Sequence, residues 1–294
     1  MPTPEPSIYT AHAHAKINLI LRVAAPLTSG LHPICSWMHP IDLHDTLTIE
    51  RLTTQSSEFN LRWDDDSPVD WETSSDLIYK AHALLESHTG RALPVRITAT
   101  KSIPAGGGLG GGSSNAASTM MGLNQIFDLK LTQEHLRSLA QTLGSDIPYF
   151  ITTDPTTPPH PAVVSGIGDQ IHPTPRATAD LTLLIPPFGC PTGSIYAAFD
   201  RQQSQSSIDA DAVHQSAARA VVQTHDLIND LARPARSAVP QLNDMMTTLE
   251  ALGITPHLSG SGSTMFILGR LDQSTADAIS AALPDLRIVP AKLI

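Results

Sequence analysis

The chain has 294 residues, 41% hydrophobic and 16% charged, which is enough apolar material for a sizeable core and, at this length, most naturally for two domains. A formal net charge of −10, from 18 Lys+Arg against 28 Asp+Glu, argues against a nucleic-acid backbone or an anionic membrane surface as partner and leaves basic side chains few and locally purposeful. Cys35 and Cys190 stand far apart and form no C-x-x-C pair, so neither a disulfide framework nor a thiolate zinc site is suggested and a reducing cytoplasm fits.

The opening MPTPEPSIYTAH places prolines and a glutamate where a signal peptide needs basic and then apolar residues, and no apolar run approaches a membrane span. Residues 13–23 alternate: Ile17, Leu19, Leu21 and Val23 point one way and His14, Lys16, Asn18 and Arg22 the other, which predicts a strand with a polar working face. Residues 41–50 (IDLHDTLTIE) read as a strand pair or one bent strand. A capped helix is predicted over 75–86, with Leu77, Ile78, Ala81, Leu84 and Leu85 inward and Gly90 ending it. Alternation returns over 93–100. A helix is expected over about 113–127, and another over 132–143 stops at Gly144. SDIPYFI then reads as a rigid loop entering an apolar strand. Thirteen histidines, among them His12 and His14 on one strand face with His32 and His39 nearby, show no H-E-x-x-H spacing, so no metal-ligating set is expected.

The stretch 152–161 (TTDPTTPPHP) has no periodicity and is the expected domain seam. After it come an LTLLIPP strand (181–187), a polar helical stretch over 206–231, and a helix over 240–252 closed by Gly253. HLSGSGSTMFIL is a second glycine-serine loop inside an apolar strand pair, followed by a helix over 274–283 and the strand LRIVP. Strand and helix alternate as in an α+β sandwich.

The richest segment is PAGGGLGGGSSN at 104–115, with six glycines in twelve residues and two serines just before a small-residue helix. Glycine admits positive φ and close backbone approach, so successive amides can converge on an anion, and the helix start adds its positive dipole end. Ser113 and Ser114 suit both capping and direct phosphate donation. A Walker A loop is excluded because no lysine follows Gly112. Gly106, Gly108 and Gly111 satisfy G-x-G-x-x-G formally, but the run lies past residue 100 and continues Ser-Ser-Asn, unlike a dinucleotide fingerprint.

Taken with its flanks, the run resembles the second motif of the GHMP kinase superfamily. AKINLIL (15–21), GLH (30–32), KSIPAGGGLGGGSSNAAS (101–118), LGSDIPYF (143–150), the Asn229-Asp230 pair and SGSGSTMF (259–266) follow in that superfamily's order. The resemblance implies a two-domain α+β GHMP kinase fold: a ribosomal protein S5 domain 2-like ATP-binding domain over 1–155 and a ferredoxin-like substrate domain over 156–294. It also implies ATP with Mg2+ as cofactors, and phosphorylation of the 2-hydroxyl of 4-diphosphocytidyl-2-C-methyl-D-erythritol in non-mevalonate isoprenoid biosynthesis. The alternatives are another small alcohol, or a non-catalytic nucleotide or sugar sensor on the same fold. A cytoplasmic monomer or weak homodimer, with neither nucleic acid nor membrane as partner, is expected.

Phosphoryl transfer to an alcohol needs a base at the hydroxyl, cations for the shifting charge and backbone donors for the remaining phosphates. Asp146 is the candidate base and Lys16 its cationic partner, the matched catalytic pair of the superfamily. The nucleotide set is Lys101, Pro104, Gly106, Gly107, Gly108, Leu109, Gly110, Gly111, Gly112, Ser113 and Ser114; Lys101 contacts nucleotide or is simply solvated. The substrate set is Asn18, His32, Tyr196 and the loop Ser259, Gly260, Ser261 and Gly262. Relatives carry an aromatic and an acid where Leu31 and Pro33 stand here, an asparagine where Asp76 stands, and often a glutamate after the Asn-Asp pair, where Ala232 and Arg233 follow; Tyr196 matches an aromatic that stacks cytosine.

Overall fold

The computed structural model describes residues 8–54, 56–154, 157–202 and 208–294. The elements run β1 (Ile8–Val23), β2 (Ile34–Arg51), β3 (Glu58–Trp63), α1 (Leu77–Thr89), β4 (Val95–Lys101), α2 (Gly111–Ile126), α3 (Gln133–Gln141), α4 (Ile147–Phe150), β5 (Ala162–Gly166), β6 (Gln170–Pro173), β7 (Asp180–Ile185), α5 (Thr192–Arg201), α6 (Ala210–Ala218), β8 (Ile228–Asn229), α7 (Ala232–Ala238), α8 (Pro240–Ala251), β9 (His257–Leu258), β10 (Met265–Leu268), α9 (Gln273–Ala282) and β11 (Arg287–Lys292). The class is α+β. Two compact units interleave in sequence. One takes the described residues of 1–15 with Leu43–Ile103 and Gly110–Pro159; the other takes Lys16–Asp42, Pro104–Leu109 and His160–Ile294. Both β1 and β2 contribute one end to each unit, and the glycine run is divided after Leu109. The final passage between units falls at Pro159, within the proline-threonine stretch.

In the first unit β4 pairs antiparallel with the far end of β2 (Leu47 opposite Ala99, Ile49 opposite Ile97) and parallel with β3. Helix α1 starts two residues later than the predicted 75–86 span: Asp76 is the cap and accepts the Ile78 amide at 2.8 Å, and Gly90 closes the helix in the left-handed region. Its Ile78, Ala81 and Leu85 are buried, each large apolar side chain contributing roughly 1.5–3 kcal/mol. Helix α2 is buried along most of its length because its residues are small. A Cβ on Gly122 would stand 2.6 Å from a Tyr9 ring carbon and 2.7 Å from Ile49, so glycine here lets the helix approach the sheet.

In the second unit β11, β7, β10 and β9 form an antiparallel sheet in that order, with Leu184 opposite both Met265 and Ile288. Its core joins Leu21 and Val23 of β1 to Phe199, Leu242, Leu249, Leu258 and Met265. β5 pairs with the near end of β2 and with β6, while β8 lies parallel to β1 at Ile20 and Leu21.

Several expectations are corrected. For residues 41–50 the single strand holds and the strand pair does not, since they belong to one continuous strand of 18 residues. β1 begins at Ile8, and its polar face is buried where it matters, Lys16 and Asn18 each being 3% exposed. Helix α2 begins inside the glycine run, capped by the backbone of Gly110 at φ 73°; Ser113 and Ser114 lie in its first turn and make no side-chain cap. Asp146 leads into the short helix α4 rather than a strand, Pro148 being tolerated in a first turn, where its missing amide is not needed. The helix expected over 206–231 is confined to Ala210–Ala218, and Ile228 and Asn229 are strand because the open side of β1 claims their backbone; positions 206 and 207, like the first seven residues and 155 and 156 of the seam, lie outside the described residues. β3, β5, β6, α5 and α7 were not legible as separate elements.

His39 in β2 is fully buried, its Nδ1 at 3.0 Å from the Pro40 carbonyl and its Nε2 accepting the Ala177 amide at 3.1 Å, which selects the neutral Nδ1–H tautomer. Burial lowers its pKa to about 4 from 6.5, the Pro40 carbonyl opposing and the Arg176 charge assisting. A depressed histidine pKa stabilises the fold above the unfolded value and withdraws that stabilisation as pH falls toward the folded one. Stability should therefore drop by about 3 kcal/mol between about pH 6.5 and pH 4 from this group, and His39→Gln should flatten that limb in urea melts taken across the range.

Candidate active site

The glycine run is held so that its carbonyls face the protein. Gly106 O accepts from Cys190 N (3.3 Å), Gly107 O from Thr264 N (3.0 Å), Leu109 O from Lys16 N (2.9 Å) and Gly110 O from Ser114 N (2.8 Å). Gly108 O accepts twice, from Lys16 Nζ at 2.9 Å and Ser259 Oγ at 3.1 Å. By contrast, no amide from Gly106 to Ser113 donates to any described residue. Gly106, Gly108 and Gly110 have φ of 67°, 76° and 73°, with Gly107 and Leu109 between them, the alternation that turns successive amides to one side. Over Gly106–Leu109, in the second unit, every carbonyl is tied back while the amides meet no described acceptor, and in the first unit Gly110–Ser113 open a 16-residue helix; each is a geometry that can receive an anion.

Around the Pro104–Leu109 portion, the second unit supplies the cation. Lys16 Nζ donates to Asn18 Oδ1 at 2.7 Å as well as to Gly108 O, and Asn18 Nδ2 donates in turn to Ser36 Oγ at 2.8 Å. Asn18 thus holds the ammonium through its oxygen and the next strand through its nitrogen. Ser259 is buried and Gly260 has φ 57°; a Cβ there would lie 3.3 Å from Asn18 Oδ1 and 3.4 Å from Lys16 Nζ, so the second glycine loop closes on the lysine. Ser261 Oγ pairs with Thr192 Oγ1 at 3.0 Å. Elsewhere in this unit His32 Nε2 lies 2.8 Å from Asp200 Oδ1, and its ring is 4.8 Å from that of Tyr196. Asp200 was not anticipated; its signal was the i+4 spacing from Tyr196 on one helix face.

In the first unit Lys101 is 4% exposed, so the solvated alternative does not hold. Its Nζ lies 3.5 Å from Asp76 Oδ2, which also accepts the Trp71 indole N–H at 2.9 Å. Asp45 was missed altogether. One of its oxygens accepts the Ser102 and Ile103 amides at 2.7 and 2.8 Å and the other accepts Asn115 Nδ2 at 2.8 Å, so one buried carboxylate ties the strand before the glycine run to the helix after it. Burial pushes its carboxyl up, partly offset by the Ile103 and Ser102 amides, the Lys101 charge and the Asn115 amide. Nothing in IDLHDTLTIE distinguished it from a strand-edge aspartate. Asp146 stands at the start of α4, partly exposed, with no side-chain cap bond.

An α+β fold with a buried lysine beside a glycine-rich amide cradle and a second glycine loop defines the GHMP kinase class, and the profile of the GHMP kinases N terminal domain matches residues 76–153. The 4-diphosphocytidyl-2-C-methyl-D-erythritol kinase of Persephonella marina is 31% identical over 87% of this chain and 89% of its own length; that of Polaromonas naphthalenivorans is 32% identical over 96% and 91%. A crystal structure of 4-(cytidine 5'-diphospho)-2C-methyl-D-erythritol kinase superposes with a TM-score of 0.73 at 28% identity, covering 97% of this chain and 99% of that one. The chain belongs to the 4-diphosphocytidyl-2-C-methyl-D-erythritol kinase family.

Proposed function

We infer that the protein is an ATP-dependent kinase that phosphorylates the 2-hydroxyl of 4-diphosphocytidyl-2-C-methyl-D-erythritol in non-mevalonate isoprenoid biosynthesis. The observation that carries this reading is the amide row from Gly106 to Ser113, whose donors meet no described acceptor while all the carbonyls of 106–110 are engaged. Such a cradle suits the phosphates of a nucleoside triphosphate. ATP supplies the phosphoryl group. Asp146 takes the proton from the acceptor hydroxyl as its oxygen bonds to the γ-phosphorus and the bond to the β-phosphate oxygen breaks. Lys16 stabilises charge on the transferring group, and Lys101 with the 104–114 run belongs to the nucleotide side. Asn18, His32, Tyr196 and the 259–262 loop belong to the acceptor side, with residues 1–155 as the nucleotide domain and 156–294 as the substrate domain.

Mg2+ enters with the nucleotide in this reading. Among the described residues no group of three His, Cys, Asp or Glu side chains could hold an ion. No helix among the described residues is long and apolar enough to cross a membrane.

ADP release should be measured with mevalonate, homoserine, galactose and the cytidyl-erythritol as acceptors. Turnover with the cytidyl-erythritol alone is expected. Turnover only with another acceptor would move the substrate assignment, and ATP binding without turnover on any would favour a sensor.

A further inference from the structure

Asn229 and Asp230 join the pieces that hold Lys16. Asn229 sits in two-residue β8, parallel to β1 with Leu21 opposite it. Asp230 secures that alignment: its amide donates to Leu21 O at 2.9 Å, and one carboxylate oxygen accepts Val23 N at 2.9 Å and Arg22 Nε at 3.0 Å. The Asn229 side chain then reaches the other way. Its Nδ2 donates to Leu258 O and Gly260 O, both at 2.8 Å, and its Oδ1 accepts Leu231 N at 2.9 Å. Both amide hydrogens are engaged on the stem and tip of the second glycine loop.

Gly260 packs against Asn18 Oδ1, Gly108 O and Lys16 Nζ, as the short distances from a Cβ built there show. Gly108 O in turn anchors the ammonium and the Ser259 hydroxyl. We propose that Asn229 is a positioning residue for phosphoryl transfer, its carboxamide holding the 258–260 backbone against Lys16 so that the ammonium keeps one direction. The proposal rests on the kinase reading above. Asparagine is suited to the task because two carbonyl oxygens must be met by two donors on one side chain, which a carboxylate cannot supply.

That requirement gives a test with a signature beyond stability. Asn229→Asp preserves shape but sets an anion against the Leu258 and Gly260 carbonyls; when protonated it regains one donor. Partial burial beside two carbonyl oxygens raises the pKa of such a carboxyl. The other charged or titratable groups near position 229 are Lys16, Asp230 paired with Arg22, and His257 on β9, whose pKa burial lowers. With the cytidyl-erythritol and ATP, Asn229→Asp should lower kcat by about 10- to 100-fold with little change in KM for ATP. The ratio of its kcat to the wild-type value should climb as pH is lowered from about 8 to about 6. Asn229→Ala should lose kcat similarly without that climb, and serves also if the aspartate variant does not fold. Wild-type kcat in both variants, or a loss of thermal stability alone with kcat per folded molecule unchanged, would overturn the positioning role while leaving the kinase reading intact. A wild-type enzyme silent on every acceptor would overturn both.

Discussion

Asp146→Ala will reduce turnover of the cytidyl-erythritol by about 10² to 10⁴-fold while ATP affinity stays close to wild type, because the change removes a proton acceptor and leaves the amide cradle intact. The aspartate sits at the start of α4 without a side-chain cap bond, so truncation costs that helix little. A loss confined to chemistry lowers kcat and kcat/KM together. Asp146→Asn keeps the shape and should fall as far, which separates the role of charge from that of volume. Single-turnover phosphoryl transfer alongside nucleotide titration checks both halves, and full activity in either variant would remove Asp146 from the role of base.

Gly108→Ala carries the second large effect, and it acts through the backbone. Gly108 has φ 76°, where a Cβ costs about 1–2 kcal/mol, and that Cβ would be driven into the Ser259 carbonyl with Gly262 N and O at 3.1 Å behind it. Those neighbours are main chain and cannot rotate away. The 106–110 segment must shift, which pulls Gly108 O off Lys16 Nζ and Ser259 Oγ. With overpacking added, the expected loss is roughly 3 kcal/mol, a melting temperature lower by roughly 5–10 °C, and a fall in ATP affinity on the order of tenfold or more. Gly193 in α5 is the contrast: a Cβ there meets nothing within 4 Å, and Gly193→Ala should be neutral or stabilise by about 0.4–1 kcal/mol. Calorimetry on the pair would refute the steric account if the two variants melted together.

Much of this protein was legible in one dimension because its signals are local. Alternation over 93–100 and the helix over 75–86 closed by Gly90 depend only on neighbouring residues, and the structure keeps them as Val95–Lys101 and Leu77–Thr89, with shifts of one to three residues at the ends. The tight turning of the glycine run was legible for the same reason, since tolerance of positive φ is a property of the residue itself. Where local reading failed, a distant segment had supplied hydrogen bonds that the local preference could not match. Residues 228–229 became strand because β1 offered an open backbone row, and the serines of 113–114 gave the cap to Gly110 because the run had already turned there.

Strand and helix alternation by itself determined the α+β class and glycine content pointed to an anion-binding loop, while the lysine and aspartate worth testing came from the resemblance of the motif blocks to the GHMP kinases. Only the tertiary structure decided that Lys16 is buried and held by Asn18 and Gly108 O, that Asp45 ties both flanks of the cradle, and that Asn229 brackets the second loop. The reason is that a buried polar side chain is satisfied by whichever donor or acceptor the fold brings to it, and those partners lie 70 residues away for Asp45 and Asn115 and 92 for Lys16 and Gly108, beyond the reach of any periodicity.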